Sequence, residues 1–124
     1  MSTRSLTYVY EKGKSKPFMA LYRHCDGYPS AHARELAGFM KGVKFNDAHC
    51  FAASMVKHFK EESGQFYIYH PDCGYVNEAY LYYINPEDDF AAIHSCGGGK
   101  LELIFGGSWK KFYAWCDSEE CENA

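Results

Sequence analysis

A chain of 124 residues with 47% apolar residues is long enough to bury one core and too short for two. Its net charge of -3 and pI near 6.0 supply no general positive field, which disfavours nucleic-acid wrapping and confines any anion site to a local cluster. The opening Met1-Ser2-Thr3-Arg4-Ser5 lacks a signal-peptide core and no apolar run approaches a membrane span, so the expectation is a soluble protein of the cytoplasm with free thiols.

Leu6 to Glu11 and Phe18 to Arg23 read as two strands of a hairpin, turned by the polar Lys12 to Pro17 segment. A first helix is predicted from about Ala31 to Lys41, with Ala33, Leu36, Ala37 and Met40 as its inward stripe and Gly42 as its stop. Gly38 inside it suggests a close approach of another backbone. A second helix starts near Asn46-Asp47 and carries the stripe Ala48, Phe51, Ala52, Met55, Val56, Phe59, ending at Ser63-Gly64. Gln65 to His70, Asn77 to Asn85, Phe90 to Cys96 and Lys100 to Phe105 read as further strands, and Ser108 as the cap of a short helix from Trp109 to Cys116. The fold class expected is α+β in a single domain spanning residues 1–124, an antiparallel sheet of about six strands with two helices packed on one face and a short C-terminal helix. The acidic tail, 117–124, is expected to fray.

The stretch from Tyr22 to Leu36 carries the strongest candidate site. A strand stops at Arg23-His24, Asp26-Gly27 tolerates positive φ, Pro29 keeps Tyr28 extended and Ser30 can cap a helix. Arg23, His24, Asp26, Tyr28, Ser30, His32 and Arg34 thereby gather near a helix N-terminus whose free N–H groups favour an anion. They are the predicted ligand-binding set. Against this stands the reading that such a turn is an ordinary strand-to-helix connection with surface charges.

Eleven tyrosines and nine phenylalanines exceed what one buried face can hide. Tyr67, Tyr69, Tyr80 and Tyr82 are therefore expected at an interface, making the protein a homo-oligomer, a two-fold dimer first. No metal and no cofactor is expected. His70 with Cys73 and His94 with Cys96 could each offer two ligands, but the chain has no Cys-x-x-Cys and such spacings arise by chance. His24-Cys25 and His49-Cys50 are sequence neighbours whose side chains diverge, and Glu35 or Asp26 has no placed second carboxylate, so catalysis is the minority reading.

The segment Tyr22-Arg23-His24-Cys25-Asp26-Gly27-Tyr28-Pro29-Ser30-Ala31-His32 resembles the Tyr-Arg-x-x-Asp-Gly-Tyr-Pro-Ser-x-His core of a family of uncharacterised small proteins from bacteria, prophages and phages. The likeness continues through the second helix and the Phe66 to Tyr69 strand. By analogy of source it implies counter-defence: a non-catalytic protein that sequesters a small anionic nucleotide-like signal at the strand-turn-helix motif. The alternative is an anti-CRISPR-like inhibitor that covers a host defence protein. It would use the aromatic sheet face and the acidic runs Glu87-Asp88-Asp89 and Asp117 to Glu122 as a nucleic-acid mimic.

Overall fold

The computed structural model describes residues 2–61 and 65–124; the expected helix stop at Ser63-Gly64 lies outside the described residues. Six strands, β1 (Ser5–Val9), β2 (Met19–Arg23), β3 (Phe66–Tyr69), β4 (Tyr80–Asn85), β5 (Phe90–Ser95) and β6 (Glu102–Gly107), form one sheet in the order β3-β2-β1-β4-β5-β6. Among the described residues four α-helices accompany it, α1 (His32–Gly42), α2 (Ala48–Lys60), α3 (Trp109–Cys116) and α4 (Glu119–Asn123), with one 3-10 turn at Gly97–Gly99. The class is α+β, and among the described residues no helix is long and apolar enough to cross a membrane.

Two features depart from the expectation. The sheet is mixed, because β4 pairs with β1 in parallel while every other neighbouring pair is antiparallel. After β3 closes one edge beside β2, the chain crosses to the far side of β1 and re-enters in the same direction, and a parallel pair needs such a long connection. The acidic tail, expected to fray, carries a helix over Glu119–Asn123. The Ser118 hydroxyl caps α4 by accepting from the Cys121 N–H, and Cys121 is fully buried, so one apolar side chain and one cap hold a helix in an otherwise charged segment.

Side-chain alternation divides the aromatic residues between two faces. Val9, Leu21, Tyr82, Ile84 and Ile93 meet the inward stripes of α1 and α2 together with Phe112 and Trp115 of α3. Asp47 and Ser108 cap α2 and α3 as their side-chain chemistry predicts. The opposite face carries a smaller cluster of Leu6, Ala20, Tyr22 and Leu81, against which Tyr8, Tyr69, Tyr83, Cys73 and Val76 pack. Cys73 and Val76 belong to the β3–β4 connection, which therefore covers part of the outer face.

This division corrects the expected interface. Tyr82 is fully buried toward the helices and its hydroxyl donates to the Gly27 carbonyl at 2.7 Å; Tyr80 packs against the same core. Tyr82 cannot meet a second subunit, and Tyr80, partly exposed, lies on the helix side of the sheet and not on the outer face. Tyr67 and Tyr69 do lie on the outer face, where Tyr22 and Tyr69 stack at 4.9 Å with ring planes 2° apart. Gly38 also differs from expectation, because a Cβ there would meet nothing within 4 Å.

Two stability changes follow from these contacts. Tyr82→Phe strands a buried carbonyl and should lower the unfolding free energy in urea by about 1–3 kcal/mol, whereas Tyr82→Asp should abolish folding rather than split a dimer. Gly38→Ala, on an exposed helix face, should raise it by about 1 kcal/mol.

Candidate functional site

The strand-turn-helix motif is built as a fastening. Asp26, not Gly27, takes the left-handed backbone, at φ 62°. Gly27 is needed for another reason: a Cβ there would lie 2.7 Å from the Ser5 Cβ, so only glycine lets the turn lie against β1. The Gly27 N–H donates to the Thr3 carbonyl at 2.8 Å. Ser30 does not cap α1, whose N-cap is Ala31 with no side-chain hydrogen bond. Instead the Tyr28 carbonyl accepts from the Ala31 and His32 N–H groups at 3.0 and 2.8 Å. A tight turn thus consumes donors that an anion would have used.

His32 is the centre of this fastening. Its side chain is fully buried between Phe59 at 5.1 Å and Tyr82 at 4.5 Å. The Arg23 Nη1 lies 3.2 Å from Nδ1, and Thr7 Oγ1 lies 2.8 Å from Nε2. A guanidinium can only donate, so Nδ1 is the bare acceptor and Nε2–H donates to the threonine hydroxyl. Burial, reinforced by the Arg23 charge, holds the His32 pKa down to about 3, and the ring is neutral at physiological pH.

The remaining members of the predicted set do not converge on one point. Arg23 and His24 are consecutive, so their side chains leave opposite faces of the sheet: Arg23 lies toward the helices, while His24 Nδ1 pairs with the Tyr22 hydroxyl at 3.0 Å on the outer side. Arg23 is buried to 9% exposure, gives Nε to the Cys25 carbonyl at 2.7 Å and Nη1 to Glu35 at 3.1 Å, and lies 5.0 Å from the Phe66 ring centroid. Arg34 reaches the other way, to the Cys116 carbonyl at 2.9 Å and Glu122 at 2.6 Å, and pins α4. Tyr28 and Asp26 are exposed and Ser30 is half-buried. What does assemble is a polar cleft of about 310 Å³ formed by Arg23, Glu35, His58, Glu61, Gln65 and the Phe59 and Phe66 rings. Glu35 joins Arg23 to His58, whose Nε2 lies 3.6 Å away. Two carboxylates beside one committed guanidinium make this a poor anion site.

A larger depression lies on the outer face, where the β3–β4 connection stops. It has a volume of about 600 Å³ and is bordered by Tyr10, Tyr83, Asn85, Phe90, His94 and Leu103, with Ala92 and Gly106 as its floor. The register explains it. Tyr83 pairs with Ala92, and Ala92 with Gly106, so one cross-strand row runs from a large ring to a methyl to no side chain. Rows on either side, Asn85 with Phe90 and His94 with Leu103, raise the two ends. Phe90 and Leu103 are exposed large hydrophobics, at 44% and 61%. Burial pushes the Tyr83 hydroxyl up to about 12, raises Tyr10 and lowers His94, so the titratable side chains of the trough are all uncharged at neutral pH.

Of these, sequence reasoning named His94, as a metal-ligand candidate with Cys96, but not the trough as a site, and it passed over His58. The signal for the trough was the small pair Ala92 and Gly106 amid aromatic strands, which becomes informative only once β5 and β6 are in register. Among the described residues no cluster of three or more His, Cys, Asp or Glu could hold a metal ion. No protein-family model, curated protein or solved structure matches the chain. The site is therefore read from its own geometry.

The His32 arrangement has a pH signature. Its pKa is lower folded than unfolded, so below about 6.5 only the unfolded chain takes the proton. The stabilisation is complete above that pH and is lost as pH falls toward 3, with a slope up to about 1.4 kcal/mol per pH unit. His94 acts in the same direction. Urea unfolding from pH 7.5 to 4.5, run beside His32→Gln, isolates the His32 share as the difference between the slopes. Arg23→Ala should cost about 1.5–3 kcal/mol in the same measurement at pH 7.5, because it strands partners of a charged donor.

Proposed function

We propose that the chain is a non-catalytic binding protein whose ligand seats in the aromatic trough between β4, β5 and β6. The carrying observation is the trough itself: about 600 Å³, of the size and apolar character of small-molecule sites, on the sheet face opposite the one that the described helices pack against. The predicted anion site at the start of α1 is not the place for it, because His32 is buried and neutral and both arginines are committed within the fold. Sequestration suits a small binder of this build, in keeping with the counter-defence role that the phage and prophage resemblance implies.

A second reading has an observation of its own. The turn that carries Phe90 also carries Glu87, Asp88 and Asp89, all exposed, so the trough has an acidic end that a basic partner protein could meet, as a host defence protein covered by an inhibitor would. Homo-oligomerisation through the same face would leave the trough closed.

The neutral fluorophore N-phenyl-1-naphthylamine tests the site without knowledge of the natural ligand. Gly106 is exposed, lacks positive φ, and a Cβ there meets only Leu103 Cδ1 at 3.9 Å, so the backbone accepts a side chain at that position and Gly106→Val raises the floor. The parent should enhance the probe's fluorescence, and Gly106→Val should reduce the enhancement at least tenfold with urea stability equal to or above the parent's. Equal enhancement by the two proteins would remove the trough as the site. Light scattering on the parent separates the readings: twice the chain mass, reduced by Gly106→Val, would mark the face as a dimer interface.

A further inference from the structure

Building on that reading of the trough, we infer that its ligand is an uncharged, planar heteroaromatic compound, of the class of a neutral purine nucleoside, and not its phosphorylated form. The inference begins with charge. Among the described residues no lysine or arginine borders the trough, so nothing described there compensates a phosphate, which needs cationic or clustered N–H donors. The side chain nearest to an exception is Asn85, and it is already committed: its Nδ2 donates to Asp88 at 3.1 Å and its Oδ1 accepts from the Asp88 N–H at 3.1 Å. Asp88 itself, with Glu87 and Asp89, places negative charge at that end and repels an anion.

The polar groups that remain are hydroxyls and one imidazole. His94 stands edge-on to Tyr83, with ring centroids 5.1 Å apart and planes at 83°. Its Nδ1 is shut away from solvent and has no hydrogen-bond partner. A hydrogen on that nitrogen would be a stranded buried donor, which proteins avoid more strongly than a stranded acceptor. In the neutral ring the hydrogen therefore sits on Nε2, and this trough-lining imidazole has a single donor. Tyr10 and Tyr83 are tilted relative to one another at 6.3 Å, and their protonated hydroxyls can both donate and accept. Ring faces, one fixed donor and no charge fit a flat heterocycle with acceptor atoms on its rim.

Adenosine and adenosine 5′-monophosphate are the probes, titrated by calorimetry into the parent protein and into Gly106→Val at low and high salt. The expected result is adenosine binding to the parent that is insensitive to salt and at least tenfold weaker in Gly106→Val, with the monophosphate binding no more tightly than the nucleoside. Tighter binding of the monophosphate, weakening as salt rises, would overturn the inference. So would the absence of adenosine binding by a protein that still captures N-phenyl-1-naphthylamine in the trough, and the binding reading would then stand without this ligand class. Failure of both probes would remove the binding reading itself.

Discussion

The contact on which the rest of the structure depends is the closed line Thr7–His32–Arg23. It joins the central strand β1, the first turn of α1 and the last residue of β2 through one neutral imidazole with both nitrogens satisfied. Buried polar groups raise the stakes of packing, since a satisfied network specifies one arrangement and a half-satisfied one destabilises it. Beside it, the Tyr82 hydroxyl ties β4 to the Gly27 carbonyl, and Gly27 itself lies within reach of Ser5. Three strands and the turn are therefore registered at one point, and α1 can start in only one place.

That fastening explains why the most ligand-like stretch of the sequence is scaffold. Clustered charges, a turn and a helix start point to an anion site when they are read along the chain. In space, alternation sends His24 to the other face, the tight turn at Tyr28 absorbs the first N–H groups of α1, and Arg34 stretches to α4. The same residue types serve either purpose, and what separates the purposes is which partners the long-range packing supplies.

Much of the fold was legible from local pattern. The stripes of α1 and α2, the caps Asp47 and Ser108, and the β1–β2 hairpin follow from periodicity and turn chemistry. The faces of β4 were not legible, because Tyr80, Tyr82 and Ile84 are as apolar as Leu81 and Tyr83, and a strand that is apolar on both sides does not announce which side the helices cover. The parallel β1–β4 pair was hidden for a related reason: short connections suggest neighbours in sequence, whereas the 70–79 connection spans the outer face. Ser118 followed three residues later by Cys121 was a readable cap signal, masked by the surrounding acidic composition. The trough depends on register between β5 and β6, including the irregularity between Ile93 and His94, and no single-segment pattern contains that.

The open part of the outer face has a physical cost that bears on its role. Side chains larger than Ala92 and Gly106 would cover Tyr83 and Phe90, and burial of apolar surface contributes roughly 25 cal/mol per Å². In a domain of this size, where the surface-to-volume ratio keeps stability marginal, that gain is large relative to the total. The β3–β4 connection shows that the chain can cover this face, since Cys73 and Val76 already seal the part above Leu6 and Leu81. The small residues at the floor thus forgo stabilisation within reach of ordinary substitution. An aromatic surface left open at such a cost is the feature that separates this part of the sheet from the rest of the core, and a bound occupant would recover the burial that the chain itself does not provide.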